Sequence, residues 1–143
     1  MSRIARVCLL LVSAVFFLAA HVSLPADDGV LTLSSKHYEV TGDLGEANLK
    51  EALSVLEAFY EQASKALKAK PREPVLKVNF FSTQEKVNTW MASHGGGSVG
   101  SGGLYLFGTK TANLFVQGTW VYTRHLLVHE CAHQFSHLSV FRN

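Results

Sequence analysis

His129 and His133, four residues apart with Glu130 beside the first, are the side chains of this sequence best suited to doing chemistry. An α-helix turns about 100° per residue, so imidazoles four apart stand one above the other on one face and reach a single ion. Glu130 then lies beside the ion rather than on it, where a general base must stand to take a proton from water. Zinc suits such a site, because it lowers the pKa of a water it holds to about 7 and makes hydroxide available at neutral pH. The chemistry is hydrolysis, with the glutamate passing the proton on to the leaving group. A catalytic zinc usually takes three protein donors, so two histidines leave one to be found.

The search for that donor runs short. No Asp or Glu follows Glu130. His125, His129, His133 and His137 form a stripe with a spacing of four, yet each step advances about 6 Å along the axis, so an ion bridging the middle pair is out of reach of His137. His137 therefore fits better as a helix-end histidine facing the C-terminal dipole, or as a support for the ligands. Cys131 lies inside the motif, points away from the histidine face and reads as a small buried residue. Around the motif, Leu126, Leu127, Val128, Ala132 and Phe135 match a packed helix, in which two histidines and a glutamate would be costly without partners.

The elements that must carry these residues follow from periodicity. Leu31–Leu33 and His37–Val40 alternate in part and predict one or two strands before a turn at Thr41-Gly42-Asp43. From Leu44 to about Ala69, Leu49, Leu53, Leu56, Phe59, Tyr60, Ala63 and Leu67 recur at three and four, predicting an amphipathic helix stopped by Pro71 and Pro74. Val75–Phe81 alternates and reads as a central strand. Ser82 or Thr83 can cap a short helix with Val87, Trp90 and Met91 inward. A glycine-rich loop at 95–103 matches no phosphate-binding pattern. Leu104–Phe107 and Asn113–Gln117 then form a hairpin, and Thr119 or Thr123 opens a last helix running to about Leu138. Trp90, Trp120 and Tyr105 are expected in the core or on the sheet face, and His94 on the loop surface.

Two arginines, Arg3 and Arg6, precede a 14-residue apolar run from Val7 to Ala20. This is a signal-peptide layout covering residues 1–20, with cleavage conceivable as late as residue 26. Its alternative is an uncleaved anchor, which would bring a membrane into contact. Without residues 1–20 the chain holds 11 basic and 11 acidic residues, so no basic surface calls for nucleic acid. Residues 27–143 make one domain, and Cys131 is then the sole cysteine, which excludes an intramolecular disulfide.

From Glu73 to Leu138 the chain resembles the N-terminal lobe of a zincin, the superfamily of zinc metallopeptidases, and is most similar to the thermolysin-like branch called gluzincins. The strand Val75–Phe81, the hairpin Gly103–Gly118 and the helix Thr123–Leu138, with His129, Glu130 and His133 in motif order, carry the resemblance. It implies an α+β fold with a mixed sheet of about four strands, Zn²⁺ on His129 and His133, and Glu130 as general base. It also implies an edge strand that binds an extended substrate by strand addition, a place that Asn113, Leu114, Phe115, Val116 and Gln117 would fill. Gluzincins take their third ligand from a glutamate on a later helix, and this sequence has none. The metzincin pattern asks for a glycine at position 136 and a histidine at position 139, where Ser136 and Ser139 stand. The expected function is an exported zinc peptidase acting on peptides or proteins, or its N-terminal half, completed by a C-terminal lobe or a partner chain. The alternative is a non-catalytic, truncated zincin-like module with a binding or structural role.

Overall fold

A computed structural model of the chain describes residues 29–141, so the expected signal peptide and Cys8 lie outside the described residues. The order of elements is β1 (Leu31–Ser34), β2 (Tyr38–Gly42), α1 (Glu46–Leu67), β3 (Leu76–Phe81), α2 (Gln84–Ser93), β4 (Gly103–Leu106), β5 (Thr111–Phe115) and α3 (Trp120–Ser139). This is an α+β fold, a mixed sheet in the order β1-β2-β3-β5-β4 with three helices packed on it.

The sheet has five strands where about four were expected, because the first segment, expected as one or two strands, folds back on itself and forms two. Ser35 N donates to Tyr38 O at 2.8 Å and closes a turn between β1 and β2. β1 is an antiparallel edge whose side chains stay largely exposed, which is why its alternation is weak in the sequence. β2, β3 and β5 run parallel, and β4 pairs antiparallel with β5.

Side chains alternate across a strand, so the sheet carries a core on each face. Tyr38 and Val40 of β2, Leu76, Val78 and Phe80 of β3, and Ala112 and Leu114 of β5 face α1 and α3. Phe81, Leu104, Leu106 and Phe115 face the other way, onto Val87 and Met91 of α2. The stripe Leu49, Leu53, Leu56, Tyr60 of α1 is buried against the first face, each leucine contributing roughly 1.5–3 kcal/mol. α1 ends when Lys68 turns left-handed at φ 48°, before either proline is reached. Gly42 is required at the end of β2, since a Cβ there would run into the Phe80 carbonyl oxygen and sit 2.7 Å from its carbon.

β5 is an interior strand, with β3 on one side and β4 on the other. The expectation that Asn113–Gln117 forms the substrate-binding edge is therefore wrong in its placement: both ladders of Asn113 and Leu114 are already paired, and both side chains are buried. Asn113 Oδ1 instead accepts from Asn79 Nδ2 at 2.7 Å across the sheet. The free edge beside α3 is β4.

Candidate metal centre

α3 starts at Thr119, whose hydroxyl accepts from Tyr122 N at 3.2 Å and caps the helix. One turn on, the buried Thr123 hydroxyl donates to Gln117 O at 2.8 Å and accepts from Gln117 N at 3.0 Å, locking the helix start to the end of β5. Trp120 stacks on Phe80 with ring centroids 5.9 Å apart, and its Nε1 donates to Glu51 Oε1 at 2.8 Å. Thr123, Leu127, Glu130, Cys131, Gln134, Phe135 and Leu138 form the buried face. Within that apolar stripe Gln134 Nε2 donates to Lys77 O at 2.9 Å and Lys110 O at 2.8 Å, tying the helix to β3 and to the hairpin turn.

This anchoring turns His129 and His133 outward. Both are exposed, and their Nε2 atoms stand 3.1 Å apart with the rings nearly perpendicular at 86°. Two imidazole nitrogens on a tetrahedral zinc, at Zn–N distances of about 2.0–2.1 Å, would be about 3.3 Å apart. The pair therefore fits two positions of such an ion with a small ring adjustment. Among the described residues no group of three or more His, Cys, Asp or Glu is arranged to hold a metal.

Glu130, about a quarter-turn around the helix from His129, is directed toward β4 at the sheet edge and is 6% exposed. Its carboxyl lies directly beneath Gly103, the first residue of β4: a Cβ on that glycine would strike Glu130 Cγ and approach Cδ to 2.8 Å and Oε1 to 2.9 Å. No hydrogen bond to the Glu130 carboxylate forms among the described residues. The start of β4 is held by Gln117, whose Nε2 donates to Gly102 O at 2.6 Å.

His137 is engaged elsewhere. Its Nδ1 meets the Tyr105 hydroxyl at 2.8 Å and its ring packs edge-on against Phe107, 4.9 Å between centroids. Burial, with a smaller contribution from Glu73, pushes the Tyr105 hydroxyl up to about 12, so it keeps its proton and bridges β4 to the last turn of α3. His125 is exposed beside Val121, Arg124 and Val128. Cys131 is wholly buried, and burial, followed by the Glu130 charge, raises its thiol well above the ordinary range, which leaves it protonated and inert. His94 is exposed and stacks on Trp90 at 3.8 Å.

Gly103, Gln117, Tyr105 and Gln134 thus hold the site; the sequence pattern assigns that role to none of them, pointing to a substrate strand for Gln117 and to the core or sheet face for Tyr105. Gln134 did carry a signal, being a polar residue in phase with Leu127, Cys131 and Leu138 on an otherwise apolar face. Comparison with protein-family models and with curated protein sequences finds no match for this chain.

Proposed function

We propose that this chain forms the metal-binding lobe of a zincin-like, exported zinc-dependent peptidase. One observation carries the reading: two exposed imidazoles at an ion-sharing distance share a helix turn with a largely buried glutamate whose carboxylate meets no donor among the described residues. A water, and then a leaving amine, would supply the donor that this carboxylate lacks among the described residues. His129 and His133 would hold zinc together with a third donor from outside residues 29–141, and the bound ion would polarise a peptide carbonyl and acidify water. Glu130 would accept the proton and return it to the amine. β4, with one side free and its first residue over Glu130, would take an extended peptide by strand addition, the role first expected of Asn113–Gln117.

The test is the zinc content of the purified chain together with a peptidase assay, repeated for His129→Ala and Glu130→Gln. One zinc per chain, lost in the first variant and kept in the second, with hydrolysis abolished in both, is the expected result. Protein that takes up no zinc would refute the proposal. The lack of a third donor among the described residues favours a second reading, a non-catalytic zincin-like module. Stoichiometric zinc without hydrolysis would select it.

A further inference from the structure

The geometry points to Gly103 as the positioning residue for the Glu130 carboxylate: the missing side chain at the start of the edge strand is the space in which the base sits. The contact of Gly103 with Glu130 belongs to the packing of the fold, and its catalytic consequence rests on the function proposed above. Gly103 is not among the glycines with positive φ, so its backbone conformation is open to any residue. Glycine inside a strand is otherwise a net cost, having no side chain to pack and more freedom to lose. What distinguishes the position is its occupant, since Glu130 Cγ, Cδ and Oε1 fill the place a Cβ would take.

Neither partner can easily retreat. The strand is pinned on both sides of Gly103, by the bond from Gln117 to Gly102 and by the contact of Tyr105 with His137. Leu104 is paired with Asn113, whose Nδ2 also reaches its carbonyl oxygen at 3.3 Å. On the other side, the crowded atom Cγ lies one bond from the Glu130 Cβ, so the clash is not relieved by bending the tip of a flexible chain. Glu130 would have to rotate as a whole about its Cα–Cβ bond. With no hydrogen bond to hold the carboxylate among the described residues, packing against Gly103 sets its direction, and a displacement of about 1 Å at a reacting group can cost on the order of 100-fold in rate.

The experiment is a double-mutant cycle of Gly103→Ala and Glu130→Ala read by thermal unfolding, with zinc stoichiometry and steady-state kinetics measured on Gly103→Ala. Gly103→Ala is expected to lower Tm by about 4 °C or more in the native background. With Glu130→Ala already in place, the same change should cost less than about 1 °C or raise Tm, because the space is then empty. Zinc stoichiometry should be unchanged, and kcat should fall at least about tenfold with KM unaltered. If Gly103→Ala alone fails to fold, recovery of folding in the double variant supports the proposal, and failure of both overturns it. Equal Tm losses in the two backgrounds, or a wild-type kcat in Gly103→Ala, would also overturn it. A wild-type protein without zinc or hydrolysis defeats the proposed function instead, and the thermal cycle still decides the positioning.

Discussion

Replacing Gln134 by glutamate keeps the shape of the side chain and reverses its hydrogen bonding, at a fully buried polar position that ties the histidine-bearing helix to the sheet. Gln134 is wholly buried. Its Nε2 serves two carbonyl oxygens, Lys77 O at 2.9 Å and Lys110 O at 2.8 Å, while its Oε1 has no partner. In Gln134→Glu a protonated carboxyl can still donate to one carbonyl, so at low pH the loss is about one net hydrogen bond, roughly 1 kcal/mol. Ionisation would set a charge against two carbonyl oxygens in a dry interior, so the folded-state pKa rises above the unfolded value of about 4.3. The folded state then binds more protons than the unfolded one. Stability consequently falls as pH rises from about 4.3, by about 1.36 kcal/mol per unit, until the folded pKa is reached. Between pH 4.5 and 7 the added penalty is about 3 kcal/mol if the folded pKa reaches 7. Urea denaturation at both pH values measures it, with Gln134→Leu as a control that removes both donors and adds no titrating group. The control should lose about 1–3 kcal/mol equally at the two pH values. A glutamate variant with the same penalty at pH 4.5 and 7 would refute the assigned amide orientation and the anchoring role derived from it.

Two further outcomes follow from the same contacts. Thr119→Ala should lower stability by about 1 kcal/mol through loss of the α3 cap, measured by thermal or urea unfolding, and an unchanged midpoint would show that the helix does not start there. The Glu57 carboxyl is pushed up by burial, but hydrogen bonds from Ser35 Oγ (2.5 Å), from His37 Nδ1 (2.7 Å) and from His37 N (2.7 Å) outweigh this and hold it below the usual carboxylate range. Its contribution is present above about pH 4.3 and is lost as pH falls through the lower folded value. Glu57→Gln should therefore flatten the loss of stability on acidification, and urea midpoints that run parallel to wild type between pH 5 and 3 would contradict the assignment.

Helices were the most readable part of this chain. The three-and-four spacing in α1 survives in the structure as Leu49, Leu53, Leu56 and Tyr60, because one apolar face packed on one sheet imposes that period. The hairpin was readable as two strands flanking a short connection, yet their order in the sheet was not. β4 and β5 differ little in apolar content, and which of them pairs with β3 depends on a parallel contact between residues more than thirty apart in sequence. This is why the edge was assigned to Asn113–Gln117 when it belongs to Gly103–Leu106. The same blindness hid Gly103, whose value depends on a side chain 27 positions away.

By itself the sequence determined that His129 and His133 would share one face of a helix, since that follows from helical rise and rotation alone, and that Glu130 would stand about 100° around the helix from His129 and about 60° from His133. Tertiary structure alone decided where those two directions lead. Packing of Leu127, Cys131, Gln134 and Phe135 against the sheet turns the imidazoles to solvent and drives Glu130 beneath the free edge of β4. The physical reason is that local geometry fixes relative angles within an element, whereas the surroundings of each side chain come from long-range pairing and burial, which no short window of residues contains.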